Sequence, residues 1–285
     1  DAVRTPPPLG RDLAIVYTPM HGVGGPYVTV ALLRAGYEQL LPVAVEYEPV
    51  GRFPTVAFPN PEEPGARDLS VALAEDTGAD LILANDPDTD RLAVALPVRD
   101  GTWRPLSGNQ IGVLLADYVL EHTSESHPIV INSIVSSPML AAVAEHYGAV
   151  FAQTLTGFKW IWNAALDLEA ADEGTFVFGY EEALGYSVGP AVRDKDGISA
   201  AVVFTDLAAE CRMNGITVWD RLEAMYRRDG LWVSTQKSVV RPGTEGAAEI
   251  AAAMERLAAS PPSTIGNVGV AEVVDFQVGA AERPR

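Results

Sequence analysis

Apolar residues fall along this chain in two alternating patterns. Short runs rich in Val, Ile, Leu and Phe occupy 13–17, 41–45, 81–84, 92–98, 129–134, 150–153 and 175–179, and predict strands. Between most of them lie longer stretches with apolar residues at helical spacing. These are 26–35, 66–76, 110–121, 138–147, 159–168 and 198–213, and they predict helices. Strands that alternate with helices of this length build βαβ units around a mainly parallel sheet. The punctuation agrees, with Pro26 suited to the first helical position and Gly36, Gly78 and Gly148 closing helices.

The run 92–98, the turn Arg99-Asp100-Gly101 and the run 102–106 read as a hairpin, because Asp-Gly suits a tight turn. The hairpin closes a first unit, and Asn109 is expected to cap the helix that opens a second, so a boundary falls near Gly108. A third change comes near Gly230. Beyond it lie an expected strand (231–240), the turn Arg241-Pro242-Gly243, a helix (246–258) and a short strand (268–274). The expected architecture is α/β: two consecutive units, 1–108 and 109–230, with mixed, mainly parallel sheets flanked by helices. A partial third unit, 231–285, is too short for an ordinary domain. The two units are compatible with distant copies of one design.

Composition narrows the function. Among 285 residues, 20 are Lys or Arg and 38 are Asp or Glu, a formal charge of −18. Such a surface repels nucleic acid and anionic membranes, so neither is expected as a partner. Hydrophobic residues make up 48%, enough for a real core, yet no apolar run reaches the ~18 residues of a membrane helix. The first residues show no basic-then-apolar leader, and Cys211 is the single cysteine, so a cytoplasmic, reducing environment is expected. An acidic protein that binds an anion must do so with local devices, such as a metal or aimed backbone amides.

The strongest chemical signal is Asn85-Asp86-Pro87-Asp88-Thr89-Asp90-Arg91, directly after the run 81–84. Three carboxylates at i, i+2 and i+4 repel one another, and Arg91 supplies one charge against three, so a hard divalent cation is expected there. An EF-hand loop starting at Asp86 fails, because its Gly and Glu positions hold Arg91 and Pro97. A phosphatase-type Asp-x-Asp-x-Thr/Val loop fits Asp86 and Asp88 but meets Asp90 at the fifth position. Thr18-Pro19-Met20-His21-Gly22-Val23-Gly24-Gly25 joins a strand to a helix; it reads as a tight turn or as a weak anion cradle, and Tyr27 stands where a dinucleotide fingerprint needs Gly.

Three further segments follow strands or open helices: Thr156-Gly157-Phe158-Lys159, then Glu181-Glu182-Ala183-Leu184-Gly185, then Arg193-Asp194-Lys195-Asp196-Gly197. Adjacent carboxylates such as Glu181 and Glu182 either accept sugar hydroxyls or form a solvated turn. Lys195 reads either as a surface ion pair or as a general acid/base. All these loops sit at the edge where open α/β sheets bind ligands. Phe158, Trp160, Ile161 and Trp162 read as helix core, and Arg227 and Arg228 as partners of a helix dipole.

Taken together, these loops, in this order from about Leu13 to Gly230, resemble the α-D-phosphohexomutase family, the phosphoglucomutases and phosphomannomutases. The resemblance implies four domains, of which this chain would hold the second, the third and the start of the fourth. The family's Thr-Ala-Ser-His-Asn-type serine loop does not occur in it. Arg241-Pro242-Gly243-Thr244-Glu245 lacks the Ser of the family's fourth-domain phosphate loop and lies too early in the chain. The activity implied is interconversion of hexose 1-phosphate and hexose 6-phosphate through a phosphoserine and a bisphosphate. The chain alone is then expected to be inactive for want of the serine domain. In that scheme Asp86, Asp88 and Asp90 hold Mg²⁺, Arg91 steadies the transferring phosphoryl group, and Lys195 is the acid/base. Thr156, Gly157, Glu181 and Glu182 bind the sugar phosphate substrate. Ala183 stands where many members have Ser, and the Thr18–Gly25 turn resembles that of the branch that includes phosphopentomutase-like and glucose-bisphosphate-type members. Phosphopentomutase action, a metal- and sugar-phosphate-binding module without turnover, and a hydrolase using Asp86 as nucleophile are the alternatives.

Overall fold

The protein is described by a computed structural model for residues 10–234 and 239–274. The described residues divide into two compact units near Ser234. The larger contains two mixed sheets. The first is built from β1 (Ile15–Thr18), β2 (Leu40–Pro42), β3 (Leu81–Ala84), β4 (Ala93–Pro97) and β5 (Trp103–Pro105), in the order β2-β1-β3-β4-β5. β2, β1 and β3 run parallel, and β4 and β5 form the expected antiparallel hairpin. Every residue of β1 and β3 is buried. Strands covered on both faces need unbroken apolar runs, which is why their sequences show no alternation.

The second sheet is built from β6 (Pro128–Ser133), β7 (Val150–Thr154), β8 (Thr175–Glu181) and β9 (Gly185–Val188), in the order β7-β6-β8-β9. Three of its strands are parallel and β9 is antiparallel. The first four strands of sheet one and the four of sheet two thus share one order and one set of directions. In each, the chain leaves the first strand to one side and returns on the other. The loops after β1 and β3, and after β6 and β8, therefore meet at a topological switch point, where such sheets open a crevice.

Helices α1 (Gly25–Ala35), α2 (Asp68–Thr77), α3 (Gly108–His122), α4 (Met139–Tyr147), α5 (Phe158–Ala170), α6 (Gly197–Met213) and α7 (Val218–Asp229) flank these sheets. α6 packs on α1 and α3 and also on β9, so one core runs through both halves. Tyr37 and Asp206 tie it further, the phenol donating to the carboxylate at 2.6 Å. Among the described residues, no helix is long and apolar enough to cross a membrane.

Several expectations need correction. The strand expected over 41–45 stops at Pro42, which lacks an N–H to continue the ladder, and a 3₁₀ turn, Ala44–Glu46, buries Glu46 instead. Pro26 stands one residue inside α1, behind Gly25. Asn109 does not cap α3: Ser107 does, in a reciprocal box with Gln110. Asn109 Oδ1 accepts instead from the Ser137 amide at 2.7 Å and the Tyr180 hydroxyl at 3.2 Å. β9 was not foreseen.

Arg228 does more than face a helix dipole. Its guanidinium meets Asp117 on α3 at 2.7 Å, and Arg221 meets the other oxygen of Asp117 at 2.6 Å. Across the boundary between the units, 231–234 and 239–240 form no strand, and 235–238 lie outside the described residues. α8 (Gly243–Ala259) is followed by a two-residue hairpin of β10 (Thr264–Ile265) and β11 (Val268–Gly269), shorter than expected.

Candidate active site

The loop after β3 folds its carboxylates together. Asp86, Asp88 and Asp90 each bring an oxygen within 4.8 Å of the others. Thr89 takes a left-handed backbone (φ 69), which turns the chain so that alternate residues face one point. Asp86 is buried and accepts from the Arg91 amide at 3.0 Å, while the Arg91 side chain reaches back to Asp86 at 3.4 Å and Asp90 at 3.8 Å. Burial, with the charges of Asp88 and Asp90 added, pushes the Asp86 carboxyl up to about 6. One oxygen of Asp90 is buried without a hydrogen-bond donor. An all-oxygen set of three carboxylates, only partly neutralised by protein cations, fits a hard divalent cation such as Mg²⁺.

Glu121, His122 and Glu210 also lie close enough to share an ion. There Arg221 already holds Glu121 at 2.6 Å and Glu210 at 3.0 Å, so the cluster's charge is answered by protein.

The loop opening α5 and the turn after β8 close over the same point. Glu181 accepts from the Gly157 amide at 2.5 Å, which joins the loop opening α5 to the turn after β8. Burial, together with neighbouring Glu182, raises the Glu181 carboxyl above the ordinary range, although the Gly157 amide works the other way. Glu182 turns inward. Its carboxylate accepts from Ser136 at 3.3 Å and Ser133 at 3.4 Å, and its amide donates to Ser136 at 3.1 Å. Leu184 is left-handed (φ 65), and its carbonyl accepts from the Leu92 amide at 3.0 Å. Beside it, Arg91 and Gly185 form a β-bridge, so main chain fastens the carboxylate loop to the turn after β8.

Lys195 completes the arrangement. Its ammonium lies 2.7 Å from Asp90 and 3.5 Å from Asp194. Burial works against its charge, but the Asp90 hydrogen bond and both carboxylates outweigh it and hold the lysine above its usual range. Gly185 leaves room for the lysine, since a Cβ would crowd Lys195 Cδ at 2.9 Å and the Phe158 ring at 3.0 Å. Asp196 caps α6 through the amides of Ile198 and Ser199, which seats the lysine at the helix entrance.

A cleft of about 330 Å³ is lined by Arg91, Gly157, Phe158, Lys159, Glu181, Ala183, Asp194 and Lys195. Of the residues singled out in the sequence, Arg91, Gly157, Glu181 and Lys195 thus face one space. Thr156 is exposed outside that lining, and Glu182 is committed to the serines. Phe158 and Trp162 are core as expected, but Phe158 also walls the cleft, and Trp160 is only half-buried. Within the Thr18–Gly25 turn, the amides of Met20, His21, Gly22 and Val23 all donate within the protein and are not free for an anion. Ser133, Ser136 and Glu46 had no sequence signal beyond placement at strand ends.

Comparison with known proteins identifies the class. Residues 3–99 match the family described as phosphoglucomutase/phosphomannomutase, alpha/beta/alpha domain II, and residues 107–232 match alpha/beta/alpha domain III. The chain belongs to the phosphoglucomutase/phosphomannomutase family. It is 43% identical over 265 residues to a Haemophilus influenzae protein named "Probable phosphomannomutase", covering 93% of this chain and 52% of that one. It is 46% identical over 211 residues to a Saccharomyces cerevisiae phosphoribomutase, covering 69% of this chain and 33% of the relative. A Burkholderia thailandensis phosphoglucomutase/phosphomannomutase family structure shares the fold at TM-score 0.60 and 20% identity, covering 82% of this chain and 45% of that one. The chain spans about half the length, or less, of the curated relatives it matches.

Proposed function

We propose that this chain is the cation- and sugar-binding part of a phosphomutase, an enzyme that moves a phosphoryl group between the 1-oxygen and the terminal oxygen of an aldose phosphate. Residues 1–108 would supply the cation loop, 109–230 the sugar loops, and 231–285 a linker and the start of a further domain. The reading is carried by one observation: Lys195 Nζ stands 2.7 Å from Asp90 in a cleft that Glu181 and Arg91 also line. Carboxylates fit to hold a cation and a carboxylate fit to hold sugar hydroxyls therefore share one reaction space.

Asp86, Asp88 and Asp90 would hold Mg²⁺, which supplies charge neutralisation for the transferring phosphoryl group. Arg91 would hold that group with a guanidinium already anchored to Asp86. Glu181, fixed by the Gly157 amide, would accept sugar hydroxyls. Lys195 is held protonated, so it would act as a proton donor or fixed positive charge near the reacting oxygen. The phosphoserine and bisphosphate route needs a serine loop that these 285 residues do not contain, so the chain by itself should not interconvert sugar phosphates.

Hexose phosphates are the first substrate reading. A pentose phosphate is favoured by Ala183, which withholds a hydroxyl contact, and by the names of the phosphoribomutase and phosphopentomutase relatives. Calorimetry of the chain with glucose 1-phosphate and ribose 5-phosphate, with and without Mg²⁺, tests the proposal. Cation-dependent binding of either sugar phosphate, lost with Asp88→Asn, supports it. Binding that ignores both the cation and Asp88→Asn would sink it.

A further inference from the structure

We infer that the turn from Thr18 to Gly25 is the positioning element of the carboxylate loop and that Glu46 locks it; the inference rests on reading Asp86, Asp88 and Asp90 as a cation site. The turn holds two consecutive non-glycine residues, Met20 (φ 49) and His21 (φ 59), in the left-handed region. Such backbone persists only where the surroundings over-determine it.

The surroundings here are one buried carboxylate. Glu46 accepts from the Thr18 hydroxyl at 2.5 Å and from the Thr55 hydroxyl at 2.7 Å. A carboxylate only accepts, so each hydroxyl spends its proton on Glu46 and is left as an acceptor. Thr18 Oγ1 then accepts from the Met20 amide at 3.0 Å, and Thr55 Oγ1 accepts from His21 Nε2 at 2.9 Å. The relay also fixes the imidazole tautomer with its proton on Nε2. The main chain adds two bonds, from the His21 amide to the Glu46 carbonyl at 2.9 Å and from the Val50 amide to the His21 carbonyl at 3.0 Å. Both left-handed residues are thus pinned from the same side.

The opposite side of the turn presses on the carboxylate loop. Pro87 lies between Asp86 and Asp88, and its carbonyl accepts from the Val23 amide at 2.9 Å. Gly22 touches Pro87 so closely that a Cβ would overlap the proline's Cα and carbonyl. The Thr18 carbonyl also accepts from the Asn85 amide at 3.1 Å. Moving the turn therefore moves Pro87 and the two ligands beside it. The second sheet repeats the device: the loop after β6 grips the turn after β8 through Ser136 and Glu182. In both sheets, the loop leaving the first strand sets the loop leaving the third.

Titration of the chain with Mn²⁺, followed by the electron paramagnetic resonance of the free ion, tests this. Gly22→Ala should weaken Mn²⁺ binding by about 10- to 100-fold, the range seen when ligand-orienting residues are lost, with circular dichroism unchanged. Gly51→Ala, where a Cβ meets nothing, should bind as the unaltered chain does. Thr55→Val should weaken binding in the same direction, and Thr55→Ser, which keeps the hydroxyl, should restore it. The Thr55 pair decides the matter if Gly22→Ala does not fold. Unchanged affinity in Gly22→Ala and Thr55→Val, with the unaltered chain binding Mn²⁺, would overturn the inference alone. No binding by the unaltered chain would overturn the cation reading and the inference with it.

Discussion

Lys195 and Asp90, held by different sheets, meet at 2.7 Å, so the ammonium occupies one oxygen of a carboxylate proposed to bind a cation. The lysine and the cation compete for that oxygen. Lys195→Met should therefore raise Mn²⁺ affinity several-fold, because a competing positive charge is gone. It should also weaken sugar phosphate binding, since the cleft loses a cation facing the phosphate. Opposite signs for the two ligands are the expected result. A fall in both affinities would mean that Lys195 is a structural strut of the loop.

Asp86 gives a pH signature. Its carboxyl is held up at about 6 by burial and by the neighbouring carboxylates, above its ordinary value of 3.8. A folded value above the unfolded one means that the protonated form is favoured in the fold. Its stabilising contribution is complete below about pH 4 and is lost as pH rises through about 6. The cation takes the place of that proton, so Mg²⁺ should raise the denaturation midpoint more at about pH 7 than at about pH 5. Asp86→Asn should flatten the metal-free decline between those values. Equal Mg²⁺ stabilisation at both would count against the assignment.

The run 81–84 and the carboxylates after it were legible in the sequence, because a strand buried on both faces must be continuously apolar and three spaced aspartates at its end have few uses. The meeting of Lys195 with Asp90 was not legible, since it depends on how α6 enters beside the loop, where Gly197 lies against the Arg91 and Thr89 carbonyls. Asn109 reads as a helix cap although Ser107-x-x-Gln110 spells the reciprocal box; the Asn109 side chain is taken instead by the Ser137 amide, in the loop after β6, and the Tyr180 hydroxyl on β8. Glu46 sits at the end of an apolar run, where nothing in the sequence separates a buried carboxylate from a solvated one.

Asp117 yields a stability prediction. Its nearly inaccessible carboxylate is held by Arg221 and Arg228 at 2.6 and 2.7 Å, and Tyr147 donates to it at 3.0 Å. Arg221→Ala would leave a buried charge with half its compensation and also release Glu121 and Glu210. Breaking a buried pair from one side costs about 3–5 kcal/mol, so urea denaturation should show a loss of that order. Arg227→Ala, whose partner Glu223 is an exposed neighbour one turn back, should leave the denaturation midpoint nearly unchanged. Similar small losses in both variants would show that the cluster is screened like a surface pair.

Glu181 separates a sugar site from a solvated turn. Its carboxylate is half-buried, joined to the Gly157 amide at 2.5 Å, and lines the cleft. Bonds from sugar hydroxyls to such a carboxylate are charge-assisted and contribute about 1.5–3 kcal/mol each. Glu181→Ala should therefore weaken glucose 1-phosphate or ribose 5-phosphate binding by about 10-fold or more while leaving Mn²⁺ affinity near normal. Glu181→Gln keeps an acceptor for the Gly157 amide but loses the charge, and should fall between the two. Thr156→Ala, outside the cleft lining, should change little. A weakened sugar phosphate affinity at unchanged Mn²⁺ affinity assigns Glu181 to the sugar. Loss of both would trace instead to the turn it anchors, through the Leu92–Leu184 main-chain bond that fastens that turn to the aspartate loop.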